Sequence, residues 1–207
     1  MWQEEWLAWR KGYRCVAGID EVGRGALAGP VVAACVVLPL ECPLSGVNDS
    51  KLLTPQQRET AYARVVAAAR GIGIGATEAP EIDSVNILRA THLAMRLALE
   101  ALPQGLYPDL VLIDGLPVRP FPASQIALVG GDGKSMSIAA ASIVAKVTRD
   151  RLMVTCDRDF PGYGFAGHKG YGSPVHLQAL TEQGPCSIHR LSFRPVAAAV
   201  RLHTAGV

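Results

Sequence analysis

Three short apolar runs in this chain each close on carboxylates: Cys15 to Asp20 with Glu21 next, Leu110 to Ile113 before Asp114-Gly115, and Ile126 to Val129 before Gly130-Gly131-Asp132. Runs of this length, rich in valine, leucine and isoleucine and bounded by turn residues, read as buried strands. Val31 to Leu38 and the glycine-rich, tightly covered Ile72 to Ala76 read the same way. Helical stretches separate them. Trp2, Trp6 and Trp9 fall at i, i+4 and i+7, one packing face of a short N-terminal helix. Thr54-Pro55 is a helix start whose helix runs to about Ala69, before Gly71. Asp83 or Ser84 caps a long helix to Leu102 with Leu88, Met95 and Leu99 on one face. From about Ser137 to Met153 a helix carries Ala139, Ala140, Ala141, Ser142 and Ala145, small enough to approach a sheet closely. Ser173-Pro174 and Arg194-Pro195 start two shorter helices. Strands and helices alternate after an opening hairpin-like pair, so the class is α/β with a mixed sheet.

Composition narrows the function classes. At 207 residues the chain suits one domain with a small appendage. Hydrophobic residues make up 49% and charged residues 18%, which favours a packed core over disorder. Mean hydropathy is +0.22, yet the most apolar run, Ala26 to Leu40, is broken by Pro30 and Pro39. A spanning helix needs about 20 apolar residues, so no membrane segment is expected. Glu4, Glu5, Trp6 and Trp9 stand where a signal peptide would be apolar. Cys15, Cys35, Cys42, Cys156 and Cys186 are scattered without a C-x-x-C. That spacing argues against a disulfide framework or zinc knuckle and for the cytoplasm. Net charge is +2, with residues 146–207 holding 8 Lys/Arg against 4 Asp/Glu. A basic C-terminal third beside acidic motifs suits a polyanion held against a metal site, and equally a solvated basic surface.

Four acids at three strand ends point to a shared site, since ligands of open α/β sheets bind beyond the strand ends. Such acids repel unless a cation sits between them, and hard divalent ions take oxygen ligands. Two Mg²⁺ ions about 4 Å apart can serve both the attacking and the leaving oxygen of a phosphodiester. Neighbouring strand residues face opposite ways, so Asp20 and Glu21 share a site if the strand bends or ends there, which Gly23 and Gly25 allow. Spacing alone does not separate this metal site from unrelated turn acids. Two other motifs fail. Gly130-Gly131-Asp132-Gly133-Lys134-Ser135 has Leu128 where a phosphate loop needs glycine. Gly23-Arg24-Gly25-Ala26-Leu27-Ala28 precedes Gly29-Pro30 and a strand, not the helix that a dinucleotide motif opens.

The segment Gly18-Ile19-Asp20-Glu21-Val22-Gly23-Arg24-Gly25, followed by Leu27-Ala28-Gly29-Pro30-Val31-Val32, closely resembles the opening of bacterial ribonuclease HII. The likeness extends from about Cys15 to Pro195. It continues through Asn48-Asp49-Ser50-Lys51-Leu52, Ile82-Asp83, Asn86-Ile87-Leu88, Leu112-Ile113-Asp114-Gly115 and Gly131-Asp132 with Lys134-Ser135. Ser137 to Ile143, Ala145-Lys146-Val147-Thr148-Arg149-Asp150, Pro161 to Gly164 and His168-Lys169-Gly170-Tyr171-Gly172 complete it. The resemblance implies a ribonuclease H-like fold: a five-stranded mixed sheet flanked by helices over residues 1–172, with a helical C-terminal extension over 173–207.

It also implies metal-dependent endonucleolytic cleavage of RNA in RNA–DNA hybrids. Incision on the 5′ side of single ribonucleotides in duplex DNA, leaving 3′-hydroxyl and 5′-phosphate ends, is implied too. The family's catalytic carboxylates map onto Asp20, Glu21, Asp114 and Asp132, which would hold Mg²⁺ or Mn²⁺. One ion would activate the water and the other would stabilise the departing 3′-oxygen. Gly23, Arg24 and Gly25 match the signature whose main chain reads the 2′-hydroxyl, and Arg24 can also meet a phosphate. Tyr171 matches the tyrosine on the sugar at the RNA–DNA junction. Lys51, Lys146, Arg149 and Lys169 are candidates for backbone phosphates, Lys146 and Arg149 lying three apart on one helix face.

Two departures stand out: Gly133 replaces a frequent alanine, and Leu116-Pro117 replaces a polar residue. The type III relative usually has an N-terminal extension and a different residue between the two glycines, whereas Arg24 is present here. A non-catalytic hybrid binder and a related metal-dependent DNA nuclease are the competing functions. A monomer is expected, and residues 197–207 carry no clear motif for a replication clamp.

Overall fold

Val31–Val37 is buried at every position, as a strand covered on both faces must be. The computed structural model describes residues 1–40, 42, 44, 46, 47, 50 and 52–204. In chain order the elements are α1 (Gln3–Arg10), β1 (Val16–Val22), β2 (Val31–Val37), α2 (Pro55–Ala68), β3 (Gly71–Thr77), α3 (Ala79–Val85) and α4 (Ile87–Glu100). They continue with β4 (Leu110–Asp114), β5 (Gln125–Leu128), a 3₁₀ turn (Gly131–Gly133), α5 (Met136–Asp159), α6 (Phe165–His168), α7 (Pro174–Gln183) and α8 (Arg194–Thr204).

The five strands form one mixed sheet in the order β3-β2-β1-β4-β5, as expected for the ribonuclease H-like class. β1 is antiparallel to β2, with Ile19 opposite Cys35 and Glu21 opposite Ala33. On its other edge β1 runs parallel to β4 only from Val16↔Leu110 to Ile19↔Ile113. β4 is parallel to β5 through Asp114↔Leu128. β1 therefore does not end at Asp20-Glu21. It continues to Val22 on β2 after its pairing with β4 has stopped.

Local chemistry explains most boundaries. Thr54 Oγ1 accepts from the Gln57 amide at 3.3 Å while Gln57 Oε1 accepts from the Thr54 amide at 2.9 Å, a reciprocal cap on α2. Ser173 Oγ caps α7 through the His176 amide. The expected 83–102 helix is instead two helices, broken at Asn86 with φ +74°. Asn86 Oδ1 accepts from the Leu88 and Arg89 amides at 3.0 and 3.1 Å, so Asn86, not Asp83 or Ser84, caps α4. The buried face of α4 is Ala90, Thr91, Ala94, Met95 and Ala98, and Leu88 is exposed. α5 reaches Asp159 rather than Met153.

Two compact units share the chain. One comprises Met1–Val22, Val32–Ala76 and His92–Val147; the other comprises Gly23–Val31, Thr77–Thr91 and Thr148–Val207. In the first, Ala34 and Val36 of β2 and Ala61 and Val65 of α2 pack with Ala140, Ile143, Val144 and Val147 of α5. A second cluster joins Ala8, Val16, Leu110, Leu112 and Ile138, with Trp9 and Tyr13 against it. The tryptophans contact one another, Trp9 lying 5.8 Å from Trp2 in a tilted pair and 5.5 Å from Trp6 in an edge-to-face one, between ring centres. In the other unit, Ala28 packs with Met153, Tyr163, Phe165 and Ala179, and Leu27 with Leu180, Val196 and Ala199. Leu27 and Ala28 thus join this unit's cores although they precede β2 in the chain. Among the described residues no helix is long and apolar enough to cross a membrane.

Gly18 is a tight point of the first unit: a Cβ there would lie 2.1 Å from the Ser137 carbonyl carbon. Gly18→Ala is expected to cost about 1–3 kcal/mol by overpacking, read as a lower melting temperature. An unchanged melting temperature would show that α5 can shift away from β1.

Candidate active site

The end of β1–β4 pairing makes the site. Beyond Ile19 and Ile113, the next residues of two parallel neighbours are Asp20 and Asp114, placed at the same sheet end. After β5, Gly130 turns the chain with φ +64°, and the Gly131 amide donates to Asp114 Oδ1 at 2.6 Å. Asp132 follows within the 3₁₀ turn and is buried. The first unit thus contains all four expected carboxylates, Glu21 standing next to Asp20 on the strand that runs on.

Their electrostatics are those of a strained acidic cluster. Burial, then the Glu21 carboxylate, then the Asp114 carboxylate push Asp20 well above the usual carboxylate range. Hydrogen bonds from the Glu21 amide, at 2.7 Å, and from Ser142 pull the other way. Ser142 Oγ in turn lies 2.7 Å from Ser50 Oγ. Sequence reading took Ser142 for one more small residue on α5; its hydroxyl is a partner of the central acid. Gly133 has open space where a Cβ would go, so alanine would fit that turn as well. The donor set is all oxygen and anionic, which fits a hard divalent cation. Among the described residues no three Asp, Glu, His or Cys side chains form a ready-made metal cage.

The second unit contains the rest of the expected substrate contacts that are described there. Gly23 is buried at φ +91°, and Arg24 and Gly25 are exposed. Their loop is held from below by two fully buried arginines. Arg190 donates to the carbonyls of Gly23 (2.7 Å), Arg24 (2.8 Å) and Gly29 (2.8 and 3.1 Å). Arg149 donates to Pro30 (2.9 Å), Ala28 (3.1 Å) and Lys169 (2.9 Å). Arg149 is therefore not a phosphate contact: its guanidinium is spent on main-chain carbonyls inside the protein. A Cβ on Gly23 would lie 2.2 Å from Arg149 Nε, so glycine is required there by space as well as by φ. Burial lowers both guanidinium pKa values, that of Arg190 to about 10, so Arg190 stays charged at neutral pH.

Lys169 is half-buried at φ +54°, with its ammonium donating to the Ala166 carbonyl. Tyr171 is 37% exposed, and the Arg149 guanidinium lies 5.5 Å from its ring centre. Lys146 is half-buried on the first unit's part of α5. Lys51, with Asn48-Asp49, lies outside the described residues.

Sequence reading also missed a histidine relay beneath Tyr171. The Cys186 amide donates to His189 Nδ1 (2.9 Å), His189 Nε2 meets His176 Nε2 (3.0 Å), and His176 Nδ1 meets the Tyr171 carbonyl (2.9 Å). These partners fix both rings as neutral tautomers: His189 donates to His176, which donates to Tyr171. Asp83, too, is a tie, accepting from the Leu191 and Ser192 amides. A cavity of about 420 Å³ beside Leu102, Pro103, Leu106 and Tyr107 is lined by none of the four carboxylates.

The ribonuclease HII family model matches residues 17–196. The chain belongs to the ribonuclease HII family. Ribonuclease HII of Geobacter sulfurreducens is 53% identical over 196 residues, which cover 95% of this chain and 89% of the relative. Ribonuclease H2 from Pyrococcus horikoshii superposes with a TM-score of 0.76 at 27% identity, covering 92% of this chain and 99% of that one. The ribonuclease HII solved in a PCNA complex from Archaeoglobus fulgidus superposes with a TM-score of 0.74 at 26% identity, over 87% of this chain and 96% of that one. Membership makes this chain an endonuclease, a phosphodiester hydrolase of RNA–DNA hybrids with the ribonuclease H fold.

Two outcomes follow from these charges. The folded protein holds the Asp20 proton more tightly than the unfolded chain, so ionising Asp20 costs stability as pH rises through its native value. Asp20→Asn should raise the melting temperature of the metal-free protein at pH 7, by about 2–4 °C per kcal/mol released; a fall would mean the acids do not repel. His189 is the reverse case. Burial, with His176 second, lowers it to about 4, so the unfolded chain takes up its proton first. Stability should fall as pH drops from about 6.5 toward 4, and His189→Gln should flatten that part of a melting-temperature profile.

Proposed function

We propose that this ribonuclease HII cuts RNA within hybrids and also incises on the 5′ side of a single ribonucleotide embedded in duplex DNA, leaving 3′-hydroxyl and 5′-phosphate ends. What supports the reading above all is the acidic cluster at the ends of β1 and β4, in which burial, then Glu21 and Asp114, push Asp20 upward. Repulsion of that kind is relieved by a cation, and Mg²⁺ or Mn²⁺ suits ligands that are all carboxylate. Asp20, Glu21, Asp114 and Asp132 are the residues that would hold it. Bound there, the metal would acidify an attacking water and offset charge on the leaving 3′-oxygen.

The chain's own groups set the rest. The Gly131 amide orients Asp114, and Ser142 with the Glu21 amide orients Asp20, so both acids keep one direction whatever is bound. Gly23, Arg24 and Gly25 read the 2′-hydroxyl through main-chain groups, with the loop fixed by Arg190. Arg24, which is exposed, and Lys146, Lys169 and Lys51 are the phosphate candidates. Tyr171 stacks on the junction sugar with the Arg149 guanidinium behind its ring. The PCNA contact belongs to the Archaeoglobus protein. Residues 197–204 here lie in α8 and carry no clear clamp motif.

The test uses three duplexes: one with a single ribonucleotide, an RNA–DNA hybrid, and an all-DNA control. One cut 5′ to the ribonucleotide, lost with EDTA and absent from all-DNA, is expected in Mg²⁺ or Mn²⁺. Asp114→Asn should lower the rate by about two to three orders of magnitude with duplex binding retained. Binding without cutting would favour a non-catalytic hybrid reader, and cutting of all-DNA a DNA nuclease.

A further inference from the structure

One buried acid has no part in the site as described. Glu5, in α1, is fully buried, and its Oε1 accepts from Ser135 Oγ at 2.6 Å and from the Ser137 amide at 2.9 Å. Ser135 Oγ also accepts from the Ile138 amide at 3.1 Å, so Ser135 is the cap of α5 and Glu5 grips the cap. Trp2 forms an isolated β-bridge with Ser135. An anion at this end of a helix is favourable, because the first-turn amides are unpaired and carry the positive end of the helix dipole. The other oxygen, Oε2, is buried with no hydrogen-bond partner among the described residues. A carboxylate is expensive to bury half satisfied, so what Glu5 holds must repay that cost.

What it holds is the turn bearing Asp132. The Ser135 and Lys134 amides both donate to the Gly131 carbonyl, at 2.8 and 2.9 Å, closing the turn round Asp132. The Gly131 amide anchors the turn's other end on Asp114. Asp132 therefore lies in a short loop pinned at one side by a catalytic-site acid and at the other by Glu5. We infer that Glu5 is a positioning residue: it fixes the first turn of α5 and thereby the direction of Asp132. α1 lies outside the 17–196 match to the family model. The inference rests on the metal-holding role proposed for Asp132, and one arm of its test is independent of that role.

The experiment compares wild type with Glu5→Ala, Glu5→Gln, Trp9→Ala and Asp132→Asn. Amide exchange of residues 131–137 is followed in the metal-free protein, and Mn²⁺ affinity by calorimetry. Glu5→Ala should speed exchange in this loop and weaken Mn²⁺ binding about tenfold, the scale set by groups that orient metal ligands. Glu5→Gln keeps an acceptor oxygen for Ser135 and Ser137 and should restore both readouts to within about twofold of wild type. Trp9→Ala loosens α1 from the cluster of Val16, Leu110 and Ile138 without touching Ser135. It should lower the melting temperature and leave loop exchange and affinity in place. Equal effects from Trp9→Ala and Glu5→Ala, or wild-type loop exchange in Glu5→Ala, would overturn the inference. Should Glu5→Ala not fold, Glu5→Gln judges it, since loop exchange much faster than wild type despite the retained acceptor also overturns it. Mn²⁺ binding unchanged in Asp132→Asn would refute the metal role instead, leaving the exchange result to stand on its own.

Discussion

Backbone contact between Gly18 and the first turn of α5 is the constraint on which the acidic site depends. With no side chain at Gly18, β1 lies directly against the Ser137 peptide, two residues before Asp20. From that contact α5 carries Ser142 to the Asp20 carboxylate, while the chain entering α5 brings Asp132 and, through Gly131, orients Asp114. The small residues of α5, buried at Ala139, Ala140, Ala141, Val144 and Ala145, serve the same approach, since larger ones would lift the helix and its polar partners off the sheet. Packing geometry and site geometry are one problem here.

The main-chain recognition proposed for Gly23, Arg24 and Gly25 sets a different problem, because a backbone that is to read a ligand must itself be held still. Arg149 and Arg190 hold the 23–30 loop by bonding its carbonyls, an unusual use of two buried guanidiniums. Burying a charge is costly without partners, and each guanidinium has three carbonyls to offset that cost. The planar fork of arginine suits convergent carbonyls better than the point charge of lysine. With the Gly23 and Arg24 carbonyls turned toward Arg190, Arg24 and Gly25 remain exposed.

Much of this was legible in the sequence where a signal is local. Apolar runs closing on acids marked the strands and pointed to the acidic cluster, and Thr54-Pro55 announced the start of α2. Where the deciding partner is distant in sequence, nothing local marked it. Glu5 meets Ser135 across 130 residues and Arg190 meets Gly29 across 161, and those partners include backbone groups that any residue could supply. Arg149 was misread for a related reason. Three-residue spacing puts it on one face with Lys146, but spacing does not say which side of that face the protein covers. Asn86 was missed because a lone left-handed residue inside a helical pattern leaves the apolar period intact on both sides.

The acidic cluster and its supports also show how a fold tolerates a site that works against it. Asp20 is buried among like charges, and the hydrogen bonds that offset this come from groups fixed for other reasons: the Glu21 amide in the strand and Ser142 in the helix face. Asp114 takes the Gly131 amide at the start of a turn whose far end Glu5 holds. The main-chain donors to Asp20 and Asp114, the Glu21 and Gly131 amides, are thus held by the backbone itself. Orientation fixed in advance costs little at the moment of binding. That is why the stability given up to like-charge repulsion can be recovered when a cation arrives, without the surrounding structure having to rearrange.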